Sequence, residues 1–161
     1  MRVAVKSRRK LSKVQRKDLL MCLLFGKGAN GKNEPLDRIR IMKSLFLLSQ
    51  EVPKIAGLLH FEPYLYGAIS FDVYTELDAL ENTGLVTTTK EFSNERWNRY
   101  FLTTKGAVEA RKASKNLPSD IRAKIDTIKR YVTSKQTYEL LKEIYAKYPA
   151  FAKRSVIKVT S

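Results

Sequence analysis

Residues 70–106 read SFDVYTELDALENTGLVTTTKEFSNERWNRYFLTTKG. Ser70 is placed to cap a helix, and Val73, Tyr74, Leu77 and Leu80 recur along it at helical spacing. Gly84 supplies the left-handed residue that ends a helix. Leu85 to Thr89 has the Val and Thr content of a strand, Lys90 to Glu95 reads as a turn around Ser93-Asn94, and Trp97 to Leu102 reads as the returning strand. Thr103 or Thr104 then caps a further helix to about Lys115. A hairpin enclosed between two helices is the decisive feature.

Upstream, Ser12 and Gln15 form a capping-box pattern for a helix that stops at Gly26. Gly26 to Lys32 reads as a flexible interhelical loop. Pro35 fits the first turn of a second helix, on which Leu36, Ile39, Met42, Leu45, Phe46 and Ser49 repeat before Pro53 stops it. Residues 61–67, FEPYLYG, are aromatic and turn-prone. Downstream of the break at Pro118, one helix capped by Ser119 turns Ile121, Ile125 and Ile128 inward. A last helix carries Tyr138, Leu141, Ile144, Tyr145 and Tyr148 on its apolar face, and residues 150–161 read as a tail or edge strand. Tyr131, Tyr138 and Tyr145, seven apart, suit core packing first and a homodimer seam second.

The expected fold class is mainly α with a small β-hairpin: a winged helix-turn-helix with additional C-terminal helices. The divisions are a basic arm (1–11), a winged-helix domain (12–116), C-terminal helices packed on it (117–149) and a tail (150–161).

The 161 residues carry a net charge of +15, unevenly spread. Residues 1–17 hold +8, 18–60 hold +2, 61–89 hold −5 with no Lys or Arg, and 90–161 hold +10. Such a balance favours anionic partners, double-stranded DNA first. The phosphate-contacting candidates are Arg2, Lys6, Arg8, Arg9, Lys10 and Lys13 of the arm, Lys90, Arg96 and Arg99 of the wing, and Lys112 and Lys115 behind it. The helix before the hairpin is the usual major-groove reader, yet here it offers Asp72, Thr75, Glu76, Asp78 and Glu81. A carboxylate against a phosphate costs about 1 kcal/mol at contact range even in water. That helix is therefore expected not to lead on DNA. Asp72, Thr75 and Glu76, with Tyr64 and Tyr66 of the aromatic loop, are instead the candidates for contact with a protein partner.

Catalytic chemistry finds no support. His60 is the single histidine, and no nucleophile and orienting acid can be placed around it; it reads as a structural residue. One Cys and one His cannot close a zinc site, so no metal or other cofactor is expected, and Cys22 reads as a small buried apolar group. GKGANGKN at 26–33 matches the first seven positions of a phosphate-binding loop. It has Asn33 where a magnesium-binding Ser or Thr belongs, and it follows a helix rather than a strand. No apolar run is long enough to span a membrane, and the lone cysteine fits a cytoplasmic protein.

Several strings resemble a known family. RIMKSLFLL (40–48) is similar to its second helix, and FEPYLYGAIS (61–70) to its aromatic-proline signature. LDALENTGLV (77–86) and YFLTTKG (100–106) are similar to the junctions into and out of the wing, and residues 141–155 to its C-terminal helix. On these strings the chain resembles the uncharacterised prokaryotic winged-helix proteins related to the Panacea, or SocA-like antitoxin, domain over most of residues 12–157. It departs at Ala68, where that family often has proline. The resemblance implies DNA binding or toxin neutralisation through protein contact, and no enzyme activity.

Overall fold

The computed structural model describes residues 14–89 and 98–158. In chain order the elements are α1 (Arg16–Phe25), β1 (Leu36–Asp37), α2 (Arg38–Glu51), a 3-10 segment (Pro53–Leu58), β2 (Glu62–Tyr64), β3 (Gly67–Ile69), α3 (Phe71–Asn82), β4 (Val86–Thr88), β5 (Arg99–Leu102), α4 (Thr104–Asn116), α5 (Ser119–Thr133), α6 (Thr137–Lys147) and a second 3-10 segment (Pro149–Ala152). The chain is mainly helical, with a small antiparallel sheet.

Local chemistry sets most boundaries. α1 begins at Arg16, where the Asp18 carboxylate accepts from the Gln15 N–H at 2.9 Å. This corrects the start expected at Ser12, which lies outside the described residues: the capping pair is Gln15 and Asp18. α2 also starts later than Pro35 suggests. Leu36 and Asp37 are extended and pair with Tyr100 and Arg99, so β1 adds a third strand to the expected hairpin, in the order β1-β5-β4. Asp37 then caps α2, its Oδ1 accepting from the Arg40 N–H at 2.8 Å. Ser70 occupies the N-cap of α3, but its buried hydroxyl makes no capping bond. Its N–H instead points at Met42 Sδ, 3.2 Å away. The segment read as a turn-prone loop at 61–67 is in fact the first half of a tight hairpin, with Tyr64 opposite Gly67.

The junction of β4, β5 and α4 is tightly tied. Gly84 has φ 77°, and the Leu85 N–H returns to Leu80 O at 3.0 Å, closing the end of α3. Thr103 Oγ1 accepts from the Gly106 N–H at 3.0 Å and donates to Gly84 O at 2.6 Å. One hydroxyl therefore caps α4 and ties it to the turn after α3.

The core lies between two helix pairs, α1 along α4 and α2 along α5. Leu19, Leu20, Leu23, Leu45, Phe46, Ile121, Ile125 and Val132 are buried in it, each contributing about 1.5–3 kcal/mol by leaving water. Cys22 is buried there too, and burial pushes its thiol up. Phe46 stands at the centre of an aromatic cluster, its ring centroid 5.4 Å from Phe61, 5.1 Å from Tyr148 and 4.7 Å from Phe151. The last helix turns Leu140, Leu141, Ile144 and Tyr145 inward, whereas Tyr138 is 48% exposed. The core-packing reading of the three tyrosines therefore fails at its middle member. Residues 149–158 form a 3-10 turn and a strap, not an edge strand.

Two basic side chains fasten the helices. Arg40 on α2 donates to Asp37 Oδ2 at 2.6 Å, to Val132 O at 3.0 Å, to Lys135 O at 2.6 Å and to Thr137 Oγ1 at 3.2 Å, so one guanidinium holds the joint between α5 and α6. Lys129 on α5 is buried and donates to Leu24 O at 3.1 Å, satisfying a carbonyl in the last turn of α1. The 26–33 loop is not free. A Lys27–Asn33 bridge closes it, and the Ala29 N–H donates to Thr133 Oγ1 at 2.8 Å, docking it on α5.

A candidate binding groove

The β2–β3 hairpin, the first turns of α3 and one face of α2 enclose a groove of about 660 Å³, within the range of small-molecule sites. Its walls are apolar and aromatic: Tyr64, Leu65, Tyr66, Phe71 and Tyr74, with Ile39, Met42 and Ile69 below. Val156 and Ile157 close one side. The Val156 N–H donates to Leu65 O at 2.8 Å, which straps the C-terminal segment to the hairpin. Tyr64 meets Phe71 edge-on at 5.7 Å, and Phe71 meets Tyr74 at 6.4 Å. Phe71 and Leu65 are large apolar side chains left exposed, at 52% and 41%.

The hairpin is narrow because Gly67 allows it to be. Gly67 has φ 88°, and a Cβ there would lie 2.7 Å from the Tyr145 ring and 3.3 Å from Lys43 Nζ. Lys43 thereby reaches the groove floor. It is 2% exposed and donates to Ala68 O at 2.9 Å. It has no ion-pair partner among the described residues, and burial pushes its ammonium down to about 7. Arg38 stands in the wall with its guanidinium 5.3 Å from the Tyr74 ring and 5.8 Å from the Tyr100 ring, and its Nε donates to the Tyr100 hydroxyl at 2.7 Å. Arg38 and Lys43 are the charged members of the lining, which contains no carboxylate.

The two groups of predicted contact residues fall in different places. Tyr64 and Tyr66 line the groove, and Asp72, Thr75 and Glu76 follow on α3, so the partner-contact candidates form one neighbourhood. Asp72 pairs with Arg16 at 3.7 Å across the surface. The exposed residues of α3 are Phe71, Thr75, Asp78, Ala79, Glu81 and Asn82, without a cation. Of the DNA-contact candidates, Arg99 is exposed on β5, while Lys112 and Lys115 are exposed on α4, with Lys112 3.5 Å from Glu109. Arg2, Lys6, Arg8, Arg9, Lys10, Lys13, Lys90 and Arg96 lie outside the described residues, as does Trp97. Tyr100 on β5 is 3% exposed. His60, read as a structural residue, is exposed.

Sequence reasoning missed Arg38 and Lys43. For Lys43 a signal was present: it is the one charged residue in the run Ile41–Ser49, all of which is buried. Among the described residues no group of three or more His, Cys, Asp or Glu side chains could hold a metal, and no helix is long and apolar enough to cross a membrane. No protein-family model matches this chain, and no curated protein does.

Proposed function

We propose that the chain is a winged-helix protein that acts by binding a protein partner through α3 and the adjoining aromatic hairpin, in the manner of an antitoxin. The order α1, β1, α2, α3, β4, β5 with strand order β1-β5-β4 supports the winged-helix reading, with the β2–β3 hairpin inserted between α2 and α3 and with α5 and α6 as additions. The observation that carries the partner reading is the surface of α3. Where a DNA-reading helix presents cations, this one presents Asp72, Glu76, Asp78 and Glu81 beside exposed Phe71 and Leu65. An acidic face edged by large apolar groups fits a basic partner surface with an apolar centre.

The test is binding of the full chain to the purified product of the adjacent gene. The charge reversals Asp72→Lys and Glu76→Lys are expected to abolish the complex, while Lys112→Glu leaves it intact. A complex that survives both α3 reversals overturns the assignment.

A second reading has its own support. The net charge of +15 and the exposed Lys105, Arg111, Lys112 and Lys115 on α4 favour duplex DNA, bound by arm and wing as a transcriptional regulator would bind it. Mobility shifts across a salt series test it: the expected result is binding that weakens steeply with salt, and no binding at low salt removes it.

A further inference from the structure

We propose that the groove is a site for a small amphipathic carboxylate, a flat apolar body held among Tyr64, Phe71 and Tyr74 and a carboxylate paired with Lys43. The site shares Tyr64, Leu65 and Phe71 with the proposed partner surface but not the carboxylates of α3, and it stands whether or not those carboxylates bind a protein.

Charge is the first argument. Lys43 and Arg38 line the groove and no acid does, although α3 next to it carries four carboxylates. Arg38 is partly balanced, since its Nε is bound to Tyr100 and Asp78 acts on it through space. Lys43 has no such balance. An ammonium has three N–H donors, and one of them meets Ala68 O. A buried cation without a counter-ion is costly, and an incoming carboxylate supplies the missing charge inside a low-dielectric wall. The structure holds the cost in place: Gly67 admits Lys43 Nζ to the floor at a point where any side chain would collide with Tyr145.

Shape is the second argument. Tyr64, Phe71 and Tyr74 offer ring edges and faces, and Met42 and Ile69 offer aliphatic surface, which suits a planar hydrocarbon rather than a sugar or a phosphate. The size fits a drug-sized molecule better than a folded segment.

The experiment titrates the full chain at neutral pH with 2-naphthoate, read by its own fluorescence, and with the uncharged 2-naphthamide. Naphthoate is expected to bind saturably and at least about tenfold more tightly than the amide, the effect of one charge-assisted hydrogen bond. Lys43→Met is expected to abolish that preference. Arg38→Gln, at a partly exposed position, is expected to weaken naphthoate about threefold by removing a neighbouring charge. The control Lys112→Gln on α4 is expected to change nothing. Amide-resonance shifts induced by naphthoate are expected at Gly67, Ala68 and Ile69. No saturable binding at millimolar probe overturns the proposal. So does equal binding of the two probes, a preference that survives Lys43→Met, or one lost equally in Lys112→Gln, the mark of general attraction to a basic protein. If Lys43→Met does not fold, Arg38→Gln and the shift map decide: shifts confined to α4 or an unchanged Arg38→Gln affinity overturn it.

Discussion

The carbonyl oxygen of Leu85 lies where a side chain on Gly106 would have to be: a Cβ built there falls 1.8 Å from that oxygen. Gly106 is in the first turn of α4 and Leu85 follows α3, so this contact sets how closely the two helices approach at the base of the hairpin. Gly106→Ala would ordinarily stabilise a helix, by up to about 1 kcal/mol. Here it is expected to destabilise by about 3 kcal/mol or more, because backbone must move. Urea unfolding decides, and a variant as stable as the parent contradicts the contact.

Arg40 makes side-chain bonds to the residue that caps its own helix and to three residues at the α5–α6 joint. Arg40→Ala is expected to cost about 3–5 kcal/mol, since it leaves Asp37 Oδ2 without its counter-charge and two carbonyls without their donor. Arg40→Lys is expected to recover less than half of that, because a single ammonium cannot reproduce the fork. Thermal melts of the three proteins test the ranking.

Stability is expected to rise with pH through the neutral range. Burial holds Lys43 at about 7 and Lys129 at about 8, against an ordinary value of 10.5. Below the folded values both groups are protonated folded and unfolded, and the fold bears the full cost of burying charge. Above them the folded chain releases protons that the unfolded chain keeps until about pH 10.4, so unfolding becomes harder as pH rises. Lys43→Met is expected to flatten this slope between pH 7 and 9 by up to about 1.4 kcal/mol per pH unit. Identical slopes for the two proteins contradict the assignment.

Gly67→Ala is expected to damage the groove more than the core. Its φ of 88° and the 2.7 Å approach to Tyr145 require the hairpin to lift, which withdraws Ala68 O from Lys43. A loss of about 1–3 kcal/mol in stability is expected. Amide-exchange protection should fall over 62–69 while α1 and α4 keep theirs; a uniform loss throughout the chain would count against a local effect.

Short-range chemistry was legible in the sequence, and long-range geometry was not. The end of α3 at Gly84 and the start of α4 at Thr103 were readable because cap, turn and helix lie within a few residues of one another. β1 was invisible because two residues carry no periodicity, and Leu36 and Asp37 become a strand through partners more than sixty positions away. Pro35 pointed to a helix start, and pairing with β5 delayed it to Arg38. The hydroxyl of Ser70 has the right chemistry for a cap, but burial against α2 turned its N–H to Met42 instead. Tyr64 and Tyr66 were picked out for their aromatic setting. The groove they border draws on α2, the hairpin, α3 and residues 156–157, and no local pattern joins those four. Tyr138 matched a heptad, yet Leu140 is the residue that the last helix buries at that turn.

The strap from Val156 to Leu65 has a consequence for how the chain is made. Among the described residues every α-helix precedes residue 148, so the segment that walls the groove is encoded after the helices it closes against. A chain cut after Pro149 would lose Phe151 from the Phe46 cluster as well as one wall of the groove, and a carboxy-terminal tag belongs beyond that strap rather than in place of it.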